Sequence, residues 1–142
     1  MASFDQKLRT LRLMEIMLER TDDTHMLNAS ELCTILDQEY GISTDRRTIY
    51  TEMEILDKFG LDIQQKKGKC PGYYIGARDF ELPELKLLVD AVQSSKFITE
   101  KKSKELIQKL EKLCCKTDAE MLSRYVFIVN RPKTENETVY YN

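Results

Sequence analysis

The chain has 142 residues, 42% apolar and 32% charged, with 22 Lys and Arg against 24 Asp and Glu and a formal charge of −2. That profile fits a globular chain of one domain or one and a half, and it argues against a disordered tail, a whole-surface nucleic-acid footprint and a bilayer span. Cys33, Cys70, Cys114 and Cys115 form no C-x-x-C pair and His25 is the single histidine, so the sequence points to reduced thiols in a cytoplasm and to no cofactor or metal.

From about Phe4 to Arg20, Leu8, Leu11, Met14 and Leu18 recur at helical spacing, and Leu13, Ile16 and Met17 widen the stripe. A helix apolar on several sides belongs at the centre of a small bundle. Its mixed charge does not read as a signal peptide. Thr21 to Met26 is polar and ends it.

Asn28-Ala29-Ser30-Glu31 has the form of a capping box, and Leu32, Ile35, Leu36 and Tyr40 follow on one helical face up to Gly41. After Ile42, either Ser43 or Thr44 offers a new N-cap. The next helix, about 44–59, is expected to bury Ile49, Met53, Leu56 and Phe59 and to close at Gly60. The period then changes to two. Leu61 and Ile63, then Tyr73 and Ile75, flank Lys66-Lys67-Gly68-Lys69-Cys70-Pro71-Gly72, which is turn material. From Lys66 to Arg78 the charged residues are Lys66, Lys67, Lys69 and Arg78, with no acid, so the hairpin has a basic tip.

Residues 1–78 therefore predict helix, helix, tight turn, helix and hairpin, the order of a winged helix-turn-helix. A three-helix bundle with a hairpin that meets no DNA has the same order and stays open. Residues 79–124 read as a helical linker. Pro83 suits a first turn, and Leu85, Leu88, Val89 and Val92 form a stripe. Thr99 can cap a second helix with Leu106, Leu110 and Leu113 on one face and Ile107 and Cys114 beside them; a short piece runs from Thr117 to Arg124. Tyr125 to Val129 reads as strand-like and opens a last segment, 125–142. The fold class is mainly α with a small β-hairpin.

Arg46 and Arg47 stand in the first turn of the third helix, where the macrodipole disfavours cations. In a helix-turn-helix that end enters the major groove, and phosphates or guanine edges compensate. The exposed wheel face holds Arg46, Arg47, Tyr50, Thr51 and Glu54, with Thr48 at its border. Ser43 and Thr44 can offer hydroxyls and amides to a phosphate, and Lys66, Lys67 and Lys69 of the wing 66–72 can lie on the backbone or over the minor groove. The competing readings are an arginine pair bridging to Glu39 or Asp45, and a hairpin kept soluble by lysines.

"DRRTIYTEMEILDKFGLDI" and "GYYIGARDFELPELKLLVDAVQSSKFITEKKSKELIQKLEKL" resemble the N-terminal part of WYL-domain transcriptional regulators, the DeoR- or YafY-like group. The resemblance covers nearly the whole chain. It implies a winged helix, a helical linker, and a C-terminal WYL domain that binds ligand or nucleic acid. This chain stops at "TVYYN", roughly where that domain would start, so the effector site is expected in a missing segment; a truncated chain and a short natural relative both remain open. The family commonly reads Arg-Asp where Thr51-Glu52 stands here. A basic residue that would face the backbone is absent, and dimerisation becomes more necessary.

No Ser–His–Asp set, Walker loop or dinucleotide glycine pattern occurs, so the chain is not expected to be an enzyme. Cys114 falls on an apolar helix face, which favours core packing over a redox pair. Two functions remain. One is a DNA-binding transcription regulator acting on double-stranded DNA as a homodimer, with no membrane partner. The other is a winged helix used as a protein-interaction module without DNA binding.

Overall fold

The structure, a computed structural model, describes residues 2–128. It divides into two compact units, Met1–Arg78 and Asp79–Asn142. Both are built mainly of helices, with one two-stranded antiparallel sheet among the described residues.

The first unit runs α1 (Ala2–Arg20), α2 (Ala29–Tyr40), α3 (Arg46–Phe59), β1 (Ile63–Lys66) and β2 (Gly72–Ile75). This is the element order of a winged helix. Leu13, Ile16 and Met17 of α1, Leu32 and Leu36 of α2, and Ile49, Met53 and Leu56 of α3 form one core, closed below the sheet by Tyr73 and Ile75. Each fully buried aliphatic side chain contributes about 1.5–3 kcal/mol, so these contacts fix the helix packing.

The phase of α1 differs from the expected stripe. Leu11 is exposed and Leu13 fully buried. The two lie about 160° apart around a helix of 3.6 residues per turn, so only one can face the core. Phe59 is also exposed rather than buried. Two steps of three residues from Met53 carry it about 120° round the helix, off the core face.

The caps settle the turn between α2 and α3. Asn28 and Glu31 close the expected capping box at 2.8 and 3.1 Å. Gly41 ends α2 with φ 64, a left-handed value suited to glycine. The N-cap of α3 is Asp45, not Ser43 or Thr44: its Oδ1 accepts the Thr48 amide at 2.8 Å. A carboxylate is as good a cap as a hydroxyl and also suits the positive end of the dipole.

The hairpin pairs Ile63 with Ile75 and Lys66 with Gly72. It is held at three places. Tyr73 exchanges two backbone hydrogen bonds with Leu27, at 2.8 and 3.0 Å. The buried Thr21 hydroxyl donates to Met17 O and accepts from Ile75 N–H. Asp62 accepts from the Ala77 amide at 2.7 Å. At Gly72 an added Cβ would come within 2.9 Å of Met26 Cβ and 3.0 Å of the Leu27 backbone, so this strand start requires glycine.

The second unit contains α4 (Leu82–Ser94), α5 (Glu100–Glu111) and α6 (Lys116–Ile128). Pro83 sits in the first turn of α4, and Thr99 caps α5 by accepting the Lys102 amide. Leu85, Val89, Ile107, Cys114 and Leu122 make its core. The strand expected from Tyr125 is corrected: residues through Ile128 continue α6. Val126, Phe127 and Ile128 bring strand propensity. But Ala119, Leu122, Tyr125 and Val126 recur at helical spacing and pack on the same core, and that burial prevails. Val129 and the rest of segment 125–142 lie outside the described residues.

Candidate nucleic-acid interface

The turn at 41–45 presents the first turn of α3 to solvent. Arg46 and Arg47 occupy its first two positions and are exposed, with no acid in that turn. Neither makes a hydrogen bond or ion pair with a described residue. Both acids that sequence offers as partners are engaged elsewhere. Glu39 receives a two-pronged bond from Arg20 at 2.6 and 2.8 Å. Asp45 is occupied by the α3 cap. The Thr48 amide, then the Thr48 hydroxyl, hold its carboxyl below the ordinary value, with smaller contributions from the Arg47 and Arg9 charges.

Two further acids of this unit are tied into structure. Glu52 is 3% exposed. Its Oε1 accepts from Arg9 at 3.0 and 3.2 Å and its Oε2 from the Thr10 hydroxyl at 2.6 Å, fastening α3 to α1. Glu15 accepts from Arg12 at 3.0 Å and from the Tyr40 hydroxyl at 3.2 Å. The arginines that pair are Arg9, Arg12 and Arg20 of α1. Arg46, Arg47, Lys66, Lys67 and Lys69 make no ion pair with a described residue. Arg78, counted with the basic hairpin in the sequence, does not join them. Its Nη2 donates to Leu18 O and Thr21 O, each at 2.8 Å, and so satisfies carbonyls at the end of α1.

A cleft of about 280 Å³ links these parts. Arg46 and Tyr50 of α3 form one wall, Ala29 and Ser30 at the start of α2 another, and Gln65 and Pro71 of the wing the third. Arg47 and Thr51 lie outside the cleft, exposed and one turn apart on α3; Thr51 Oγ1 donates to Arg47 O at 3.4 Å. Lys66, Lys67 and Lys69 are exposed along the wing beside it. Ser43 is exposed in the turn and Thr48 is half-buried. Thr44 departs from expectation: its hydroxyl oxygen is buried with no hydrogen-bond partner, so it is closed to a phosphate.

Ser30 and Gln65 are cleft residues that the sequence does not single out at first sight. For Ser30 a signal exists. The capping box sets it at the second position of α2, where hydroxyl and free amides point outward. Gln65 is visible only once its strand register opposite Tyr73 is known. Burial, with the nearby Tyr50 and Glu54, pushes the Tyr73 phenol above its ordinary pKa, so it stays neutral at the cleft floor.

Comparison with protein-family models, curated proteins and solved structures finds nothing that matches this chain.

Proposed function

We propose that the chain is a cytoplasmic, sequence-specific DNA-binding transcriptional regulator that works as a homodimer and carries out no catalysis. The observation that carries this reading is that Arg46 and Arg47, at the N-terminus of α3, stand exposed and form no ion pair with a described residue, and neither do the three lysines of the wing beside them. Cations at that end cost about 0.3–1 kcal/mol each in dipole repulsion. The Asp45 carboxylate at the N-cap offsets part of that cost through its interaction with Arg47, and a DNA backbone would offset the remainder. The resemblance to WYL-domain regulators, carried by the stretch that holds Arg46 and Arg47 and by the 80–99 segment, leads to the same function.

In this reading α3 lies in the major groove. Arg46 and Arg47 meet guanine edges or phosphates, Tyr50 and Thr51 flank them, and Ser43 and Thr48 sit near the backbone. The cleft accepts the sugar-phosphate strand that passes between α2 and the wing. Lys66, Lys67 and Lys69 add phosphate contacts that position without reading sequence. The net charge of −2 is an average over the chain: Glu15, Glu39 and Glu52 are tied to arginines of α1, while Glu54 stands exposed on α3. Among the described residues no helix is long and apolar enough to cross a membrane.

Selection of bound sites from random duplexes tests the proposal. The expected outcome is an enriched, two-fold symmetric sequence. No enrichment, with no retention of duplex at low salt, would favour the protein-interaction module instead.

A further inference from the structure

In the second unit α4 and α5 leave an apolar groove between them. It has a volume of about 620 Å³ and is walled by Leu88, Ala91 and Val92 on one side and Leu106, Leu110 and Leu113 on the other. Lys109 is its one charged wall residue. A packing defect would be the size of a methyl group or two. Volumes of about 300–1,000 Å³ are those of sites that hold a whole ligand or inserted side chains. Of the groove's wall residues, Leu88, Leu106 and Leu113 are themselves 36%, 38% and 43% exposed, so apolar surface continues out of the groove.

The charges around the groove are sorted. With its N-cap, α4 carries Glu81, Glu84 and Asp90 against Lys86. With its C-cap, α5 carries Lys101, Lys102, Lys104, Lys109 and Lys112 against Glu100, Glu105 and Glu111. Packed helices joined by only residues 95–99 run antiparallel. The start of α4, with Glu81 and Glu84, therefore lies beside the end of α5, with Lys109 and Lys112, while Lys102 and Lys104 at the start of α5 pair with Glu105 and Glu100. A two-fold axis along the groove would set α4 of one copy over α5 of the other, acids over lysines. The other in-plane axis would set like on like. An isologous contact needs this kind of self-complementarity.

We propose that the α4–α5 groove is a dimer interface whose occupant is the same face of a second copy, burying Leu88, Leu106 and Leu113. It supplies the contact surface for the dimer in the preceding reading. It is tested without DNA, so it can fail while DNA binding stands.

Analytical ultracentrifugation of the chain at tens of micromolar, without DNA, is the test. The wild type should sediment as a dimer. Leu106→Glu should give a monomer that keeps its far-UV circular dichroism. Lys109→Glu with Lys112→Glu should raise the dissociation constant about tenfold, roughly 1.4 kcal/mol. Adding Glu84→Lys should restore association. Glu84 also accepts the Glu81 amide in the α4 cap, so a thermal melt of the single variant accompanies it. A monomeric wild type overturns the proposal and leaves the groove to another partner. A dimer indifferent to both Leu106→Glu and the lysine reversal overturns it as well.

Discussion

Arg9 of α1 grips Glu52 of α3: the guanidinium Nη2 lies 3.0 Å from Glu52 Oε1, with the carboxylate 4% and the arginine 18% exposed. This pair and the Thr10 hydroxyl set how the proposed recognition helix is seated on α1. Removing one partner of a buried pair leaves the other charge uncompensated, typically at a cost of about 3–5 kcal/mol. The partial exposure of Arg9 puts Glu52→Ala at the low end, about 3 kcal/mol, measured by urea unfolding. Glu52→Gln should cost less, because an amide oxygen still accepts from Arg9. Equal stability of Glu52→Ala and wild type would remove this account of how α3 is held.

The α3 cap carries a pH signature. The Asp45 carboxyl titrates below its ordinary value near 3.8 in the folded chain, chiefly through the Thr48 amide. The unfolded chain therefore binds the proton more readily. The stabilisation is complete above the unfolded value and disappears as pH falls through the lower folded one. Asp45→Asn keeps the cap without the charge. Urea midpoints of wild type and variant should converge as pH drops below about 3.8. A gap that stays constant through that window contradicts the assignment.

Much of this could be read from the sequence, and the failures share a cause. The helix order, the capping box, Gly41, Pro83 and the Thr99 cap follow from local chemistry, which one chain segment contains in full. The phase of α1 and the exposure of Phe59 depend on which face the neighbouring helices cover. Three apolar faces on α1 give no local reason to prefer Leu13 over Leu11. Tyr125 to Ile128 has strand propensity, but its environment is a helical core. By sequence, Glu52 stands only where the WYL regulators commonly carry an acid, beside an absent base; with Arg9 across from it, it becomes a tie between helices. Its wheel position next to Leu56, on the buried side, is the available signal. Asp45 reads as an ion partner for the arginines, but its adjacency to the first turn suits a cap equally well.

Arg46→Ala and Arg47→Ala should each weaken binding to a selected duplex, and at least one should relax base preference. A bidentate arginine–guanine contact is worth roughly 1–3 kcal/mol of discrimination. Gel-shift titrations on the selected site and on single-base variants separate the two effects. Two variants with wild-type affinity and wild-type preference would take α3 out of the major groove.

The wing lysines should act differently. Lys66→Ala, Lys67→Ala and Lys69→Ala combined should weaken all duplexes alike and leave base preference unchanged. Removing one lysine–phosphate pair flattens the salt dependence by about one unit. An unaltered slope would mean that the hairpin does not touch the backbone.

The most direct measurement is the salt dependence of wild-type binding to mixed-sequence duplex, followed by fluorescence anisotropy between about 50 and 200 mM salt. If Arg46, Arg47, Lys66, Lys67 and Lys69 face the DNA backbone and groove, the logarithm of the binding constant should fall linearly with that of salt, at a slope of about −3 to −5 per protomer. No binding at the low-salt end, or a slope near zero, would contradict the account.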